Sequence, residues 1–254
     1  MLTRKVYPTL IAIVILLLAG TPLHAGGWVV VTLDTLPAPI YAGEAITIGF
    51  TVRQHGQTLV NLGDPGPAVV AEQVETGAHM TVAATQTDFT GHYTATLTFP
   101  AAGRWAWHID PKPFPTVATM PDLTVEHRSQ SLALPTNSDP FFYQWLAMAQ
   151  QWLRQWGVEP ARAVAPYEAL EPSLGRDLFL AKGCASCHLH EDLTVEWNAQ
   201  VGPDLTNYDK TAAFLQLWLS DPAAVKPTTM MPNLHLSQAE IDALSLFLIK
   251  AGTQ

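Results

Sequence analysis

Gly183 to His190 read GCASCHLH and contain the only two cysteines of the chain. Cys184 and Cys187 are separated by two residues, and His188 follows directly. Two thiols at this spacing can form a redox-active disulfide, supply half of a zinc site, or bond covalently to haem with the histidine on the iron. The second histidine, His190, is a further candidate ligand.

The rest of the sequence discriminates between these chemistries. Thiol exchange normally uses a C-x-x-C pair at the head of a helix in a βαβ setting, and no such pattern is present. Structural zinc needs two further Cys or His ligands at regular spacing, and there is no second cysteine pair. A simple disulfide is possible in an exported chain. The run Cys184-Ala185-Ser186-Cys187-His188 fits c-type haem attachment, so we predict one covalently attached haem c.

A six-coordinate haem needs a second axial ligand, and a candidate lies about forty residues beyond His188. Met230 and Met231 stand there directly before Pro232. A thioether is a soft ligand that favours ferrous iron, so His/Met coordination raises the reduction potential and suits electron transfer.

Residues 173–252 resemble the class I cytochrome c domain, in LGRDLFLAKGCASCH, GPDLTNY and MMPNLHLSQAEIDALSLFL. The resemblance implies an all-α fold and Met231 as the sixth ligand, with Met230 as runner-up. It implies that the Pro203 carbonyl accepts a hydrogen bond from His188, which would orient the imidazole. It also implies a contact of the first helix with the last, through Gly175, Phe179 and Phe247. We expect Trp218 to pack near the haem and His190 to point to solvent.

The N-terminus predicts export. Arg4 and Lys5 precede an apolar run and a small-residue site that ends at Ala25. This is the order of a secretory signal, although residues 6–23 are uncharged and could serve as an uncleaved anchor. Residues 1–26 are therefore a signal peptide or membrane anchor, and the remainder is expected to be extracytoplasmic, in the periplasm or on the outer face of the cytoplasmic membrane.

Residues 27–127 read as about seven short β-type runs broken by turn residues, at 28–34, 45–53, 68–74, 79–85, 93–99, 104–109 and 122–127. This spacing predicts an antiparallel sandwich of immunoglobulin type, with Tyr93 hydrogen-bonding the backbone upstream. The stretch GHYTATLTFPAAGRWAWHI resembles the YtkA-like sandwich family.

Residues 128–172 are predicted to be a linker that contains an amphipathic helix over 140–157. The helix is expected to pack on a neighbouring domain or to lie in a membrane interface. The expected fold class is thus multidomain: an N-terminal all-β immunoglobulin-like sandwich and a C-terminal all-α cytochrome c fold over 173–254, joined by that helix.

The expected function is an electron carrier rather than an enzyme, serving a respiratory chain or a membrane redox complex. The alternatives are a haem-based redox or gas sensor and a copper-binding accessory protein. A binuclear copper centre is excluded because residues 27–172 contain no cysteine. A single copper could use side chains among His55, His79, Met80, His92, His108 and Met120.

Charge limits the partners. The net charge is −9 and no run of Lys or Arg follows Lys5, so nucleic acid is not an expected partner. We expect a neutral or basic redox partner protein, or permanent association with a respiratory complex. Membrane association would use residues 6–23 or the helix at 140–157.

Overall fold

A computed structural model describes residues 27–128 and 172–251. Seven strands of four or more residues form the framework of the first range: β1 (Val29–Leu33), β3 (Ala45–Gln54), β5 (Ala68–Gln73), β6 (His79–Ala83), β8 (His92–Thr98), β9 (Gly103–Asp110) and β11 (Leu123–Glu126). Four two-residue strands accompany them: β2 (Ile40–Tyr41), β4 (Thr58–Leu59), β7 (Thr85–Gln86) and β10 (Ala118–Thr119). The seven predicted β-runs are confirmed as strands.

The strands form two sheets. One has the order β1-β3-β8-β7 with β4 beside β3, and the other has the order β2-β11-β9-β5-β6 with β10 beside β9. All described pairings are antiparallel except that of β2 with β11. Burial alternates along β8 and β9, as expected for strands with one face in a core. Inward side chains of both sheets form that single core, with Phe50, Leu97 and Trp105 fully buried.

Tyr93 joins two parts of this core. Its hydroxyl accepts a hydrogen bond from the Leu62 amide, so Tyr93 bonds the upstream backbone as expected, but it does not form the short-range tyrosine corner of immunoglobulin-type sandwiches. The partner lies 31 residues upstream. A tyrosine corner would instead bond a few residues upstream.

The second described range contains four α-helices and one 3₁₀ turn: α1 (Pro172–Ala181), the turn at Cys184–Ser186, α2 (Ala212–Ser220), α3 (Pro222–Val225) and α4 (Gln238–Ala251). We call residues 172–251 the helical segment. A capping box starts α4, because the Glu240 carboxylate accepts from the Ser237 amide and the Ser237 hydroxyl accepts from the Glu240 amide. Within the described ranges, no helix is both long and apolar enough to cross a membrane.

The expected fold class, with a separate all-α cytochrome c fold behind the sandwich, is wrong. The described chain is mostly β, and its four helices are short and separated by irregular stretches such as 187–211. The helices also do not stand apart from the sheets, because Ala181 at the end of α1 is buried in the core of the sandwich. The sequence alone does not reveal that the helices and the sheets share this packing. The predicted helix over 140–157 lies outside the described residues, as do residues 1–26.

Lys182 fixes the helical segment to the edge strand β1. Its ammonium donates to the carbonyls of Leu33 (3.1 Å) and Asp34 (2.8 Å) and pairs with Glu240 (2.8 Å). The Thr32 hydroxyl donates to the Lys182 carbonyl at 3.4 Å. The sandwich edge and the start of α4 are therefore tied to one buried cation immediately before the cysteine motif.

Candidate functional site

The cysteine motif forms a tight turn. Gly183 has a φ of +74°, and a side chain there would place its Cβ 2.6 Å from both the Val30 side chain and the Val31 carbonyl. Glycine alone can adopt this positive φ without strain and also fit against Val30 and Val31 without a side chain. The amides of Cys187 and His188 both donate to the Cys184 carbonyl, at 3.1 and 2.9 Å. One turn thus carries both thiols and the imidazole.

The two thiols are not bonded to each other. Burial raises the pKa of Cys184 to about 12, with the neighbouring Cys187 adding to the rise, and burial raises the pKa of Cys187 to about 11. Both are therefore neutral thiols near pH 7. Thiol exchange depends on an accessible thiolate with a lowered pKa, so these surroundings disfavour a redox role for the pair.

The orientation of His188 is fixed from two sides. Its Nδ1 donates to the Pro203 carbonyl at 2.9 Å, which leaves Nε2 with the free lone pair. Burial lowers the pKa of His188, an effect that the carbonyl partly opposes, so the ring is neutral near pH 7. A Cβ on Gly202 would lie 2.5 Å from Nδ1, so glycine is needed for this close approach. The hydrogen bond implied by the family resemblance is present.

Asn198 is a site residue that the sequence analysis missed. Its amide nitrogen donates to the carbonyls of Ala185 and His188, at 2.5 and 2.9 Å. It thereby ties the irregular stretch after the motif back to the turn. No spacing rule marks this residue, because its role depends on the path of a loop.

The two methionines lie in different surroundings. Met231 packs at the edge of the helical core, and its Sδ accepts a hydrogen bond from Trp218 Nε1 at 2.9 Å. The Thr229 hydroxyl accepts from the Met231 amide at 3.1 Å. Met230 is 71% exposed. Cys184, Trp218 and Met231 border the same apolar cluster, and of these three predicted site residues Trp218 and Met231 are in direct contact.

The first and last helices cross as the resemblance implied. A Cβ on Gly175 would collide with the Ala243 carbonyl and lie 2.6 Å from Phe247 Cβ, so the backbones are in close contact. Phe179 meets Phe247 edge to face, with ring centroids 5.8 Å apart. This crossing anchors α1, which leads into the cysteine motif.

His190 lies in the core, so the expectation that it points to solvent is wrong. It is 5% exposed and stacks on Phe247 with ring centroids 4.4 Å apart. Its Nδ1 accepts from the Asp192 amide at 3.2 Å, and its Nε2 has no hydrogen-bond partner among the described residues. A flat imidazole packs on a phenyl ring as an aromatic residue does, which a polarity-based reading overlooks.

His92 and Met120, two of the candidate copper ligands, lie in different surroundings. Within residues 27–128 and 172–251, no three His, Cys, Asp or Glu side chains are grouped so that they could hold a metal ion. His92 instead pairs with Asp34 at 2.9 Å and contacts the Thr87 hydroxyl at 2.9 Å. Met120 is buried in the sandwich core.

Comparisons with known proteins do not place the chain in a family. No family model matches the chain, and no curated protein matches it. Among solved structures, the filamin domain of Lin-41 is similar to 38% of this chain and covers 91% of its own length, at 11% identity and a TM-score of 0.30. A similarity this low carries no argument about fold or function.

Proposed function

We propose that this chain is an exported monohaem c-type cytochrome that carries single electrons. Cys184 and Cys187 would form the thioether bonds, His188 would be the fifth iron ligand and Met231 the sixth. The protein would be an electron carrier without substrate chemistry of its own. It would serve a respiratory chain or form a non-catalytic subunit of a membrane redox complex.

The observation that carries the proposal is the orientation of His188. The Nδ1 hydrogen bond to Pro203 selects the tautomer whose Nε2 can bind a metal, and it holds the ring in place. Metal-binding histidines almost always donate their other ring nitrogen in this way. Gly202 leaves no room for a side chain against this ring, which further restricts its orientation.

The other site residues fit the same group. The buried, neutral Cys184 thiol lies beside the apolar cluster, which suits an apolar porphyrin, and its raised pKa disfavours thiolate chemistry. The bound haem would supply one-electron redox chemistry. The protein would hold the imidazole in position, supply a thioether and provide an apolar cluster beside the group.

The surroundings of the two methionines favour Met231 as the sixth ligand. Its sulfur lies at the core edge and is held by Trp218, whereas the Met230 side chain is largely in solvent. A ligand fixed in advance loses less entropy on binding than a mobile one. Trp218 would position this sulfur by its indole N–H.

Location and partners complete the proposal. Arg4, Lys5 and the apolar run after them support export behind a signal peptide or anchor. Membrane association would use residues 6–23 or 140–157. Residues 27–127 contain three Lys/Arg against nine Asp/Glu, and residues 173–254 contain five against nine. Net charges of −6 and −4 support a neutral or basic partner.

The test is haem content after expression in a host that matures c-type cytochromes. We expect haem to stay with the wild-type polypeptide on a denaturing gel and to be lost in Cys184→Ala/Cys187→Ala. The wild type without covalent haem would contradict the proposal.

In the oxidised protein, Met231→Ala should lose the methionine–iron charge-transfer band and Met230→Ala should keep it. The reverse would make Met230 the ligand. Carbon monoxide binding by the reduced wild type would favour a gas sensor.

A further inference from the structure

Arg53 differs from the other cations of the sandwich. Residues 27–127 contain three Lys/Arg, and two of them form ion pairs: Arg104 with Asp122 at 3.6 Å and Lys112 with Asp110 at 3.1 Å. Arg53 is partly buried, and its Nη1 has no hydrogen-bond partner among the described residues. Burial lowers its pKa, as expected for a cation without an anion beside it. A buried guanidinium N–H without an acceptor is unfavourable, and the carboxylate of a bound ligand would satisfy it.

The strand register places Arg53 on the face of the sheet that meets the helical segment. Arg53 lies opposite Val30 of β1 on one side and opposite Leu59 of β4 on the other. Val29 and Val31 point into the sandwich core, so Val30 and its partner Arg53 are on the outer face. Val30 is nevertheless only 4% exposed, because Gly183 packs against it. Gly183 is the residue before Cys184.

The second contact to the helical segment comes from the turn between β3 and β4. The Gln57 side chain in this turn donates to the Met230 carbonyl, next to the proposed iron ligand Met231. Trp28 at the start of β1 lies 5.7 Å from Trp197 and 5.5 Å from His55, measured between ring centroids. Arg53 is therefore bracketed by contacts that lead to Cys184 on one side and to Met231 on the other.

We propose that the outer face of β1 and β3 forms one wall of the haem crevice, and that the Arg53 guanidinium binds a carboxylate of the attached haem. This inference rests on the proposed function. Thioether attachment uses the vinyl groups of haem and leaves its two propionate carboxylates free. A guanidinium matches a carboxylate in shape and charge and can bind it through two N–H groups. The sandwich would thus be part of the redox site rather than only a spacer or dock.

The pairing has consequences for the redox equilibrium. A positive charge near the haem stabilises the reduced state, because reduction adds one negative charge. The same charge keeps the neighbouring propionate ionised at neutral pH by lowering its pKa. Without Arg53, the propionate pKa would rise, and the reduction potential would depend on pH where that group titrates.

The experiment measures the reduction potential of haem-loaded wild type, Arg53→Met, Arg53→Lys and the control Arg104→Met, each from about pH 5 to pH 9. Arg104 lies on the same sandwich, and its side chain is 57% exposed. We expect the reduction potential of Arg53→Met to be lower than that of the wild type. At a fixed applied potential, the ratio of reduced to oxidised protein should fall by a factor on the order of ten. The variant should also gain a pH dependence that the wild type lacks. Arg53→Lys should retain most of the wild-type behaviour, and Arg104→Met should match the wild type.

Several results would overturn the inference. Haem-loaded Arg53→Met with an unchanged potential would do so and would leave the proposed function intact. Equal shifts in Arg53→Met and Arg53→Lys would indicate a steric role only. If Arg53→Met fails to accumulate, Arg53→Lys must still accumulate with haem and with a near-wild-type potential, or the inference is wrong. A wild type that never binds haem would overturn the proposed function itself.

Discussion

The sandwich and the helical segment complete their cores in different ways. The sandwich core contains the inward side chains of two sheets, and residues such as Phe50 and Trp105 are fully enclosed by them. In the helical segment, Cys184, Trp218 and Met231 border the core without being fully buried. The sandwich core consists of its own side chains apart from Ala181 of α1, whereas the helical segment holds Cys184, Trp218 and Met231 at the margin of its core. A rigid framework with chemistry in the adjoining loops is a common division of roles.

The largest expected effect tests how strongly side-chain packing in the sandwich core stabilises the protein. Trp105 is fully buried, lies edge to face with Phe99 at 5.2 Å, and donates from Nε1 to the Ala101 carbonyl at 3.1 Å. We expect Trp105→Ala to lower the free energy of unfolding by about 3–5 kcal/mol. Chemical denaturation followed by far-UV circular dichroism measures this loss. Phe89→Ala is the control, because Phe89 is 74% exposed, and it should change the value by less than ~0.5 kcal/mol.

The contact between the two regions is tested by Lys182→Met. This change removes the cation that β1 and α4 share, while Glu240 keeps its hydrogen bonds from Ser237. Glu240 is only partly buried, so we expect a loss of about 2–3 kcal/mol rather than the larger loss typical of a fully buried pair. Lys210→Met is the control, since Lys210 pairs only with its exposed neighbour Asp209. A loss no greater than that of the control would show that the two regions are not held together by Lys182.

The same pair predicts a pH dependence. Burial alone would raise the pKa of Glu240, but hydrogen bonds from Lys182 and Ser237, with the charge of Lys182, hold it below its ordinary value of 4.5. A carboxylate with a lowered pKa stabilises the fold above its unfolded-state pKa, and that stability is lost as the pH falls through the folded-state pKa. The stability difference between wild type and Lys182→Met should therefore shrink below about pH 4.5. A constant difference between about pH 7 and pH 3 would contradict this account.

The crossing of α1 and α4 tests the helical segment by itself. In Gly175→Ala the new methyl group would meet the Ala243 carbonyl and Phe247, so the helices must separate. We expect a loss of about 1–3 kcal/mol, with faster amide exchange in α1 and α4 and unchanged exchange in the sandwich. Gly63→Ala is the matched control, because a Cβ there would have no atom within 4 Å. Equal loosening of both regions would mean that they unfold as one unit.

Local patterns in the sequence predicted the elements well. The seven β-type runs were recognised from their residue types and from the turn residues that separate them, and all are present as strands. The short strands β2, β4, β7 and β10 were missed, since a two-residue pairing has no period of its own. For the candidate site, the hydrogen bond from His188 to Pro203 followed from a spacing shared with a known family.

Three contacts between distant parts of the chain were not predicted. Lys182 reads as a surface lysine, but its ammonium is buried against β1. Ala181 reads as the end of a helix, yet it completes the sandwich core. His190 reads as polar and packs as an aromatic ring. In each case the sequence supplies the residue type, and its surroundings come from a segment more than fifty residues away.

The smallest expected effect concerns the helix that carries Trp218. The Thr211 hydroxyl caps α2 by accepting a hydrogen bond from the Phe214 amide at 3.2 Å. Thr211→Ala should lower the free energy of unfolding by about 1 kcal/mol, the usual loss for an N-cap. Thr228→Ala is the control, because Thr228 is exposed and its side chain makes no hydrogen bond to the described residues.

Thr211→Ala also tests whether loosening of α2 spreads to the sandwich. Phe214 stacks on Trp218 with ring centroids 5.9 Å apart, and Trp218 in turn holds the Met231 sulfur. Fraying at the start of α2 should therefore reach Met231 while leaving the sandwich untouched. Faster amide exchange confined to α2 and the Met231 loop is the expected result. If amide exchange also becomes faster in β1 or β3, the helical segment and the sandwich unfold as one cooperative unit.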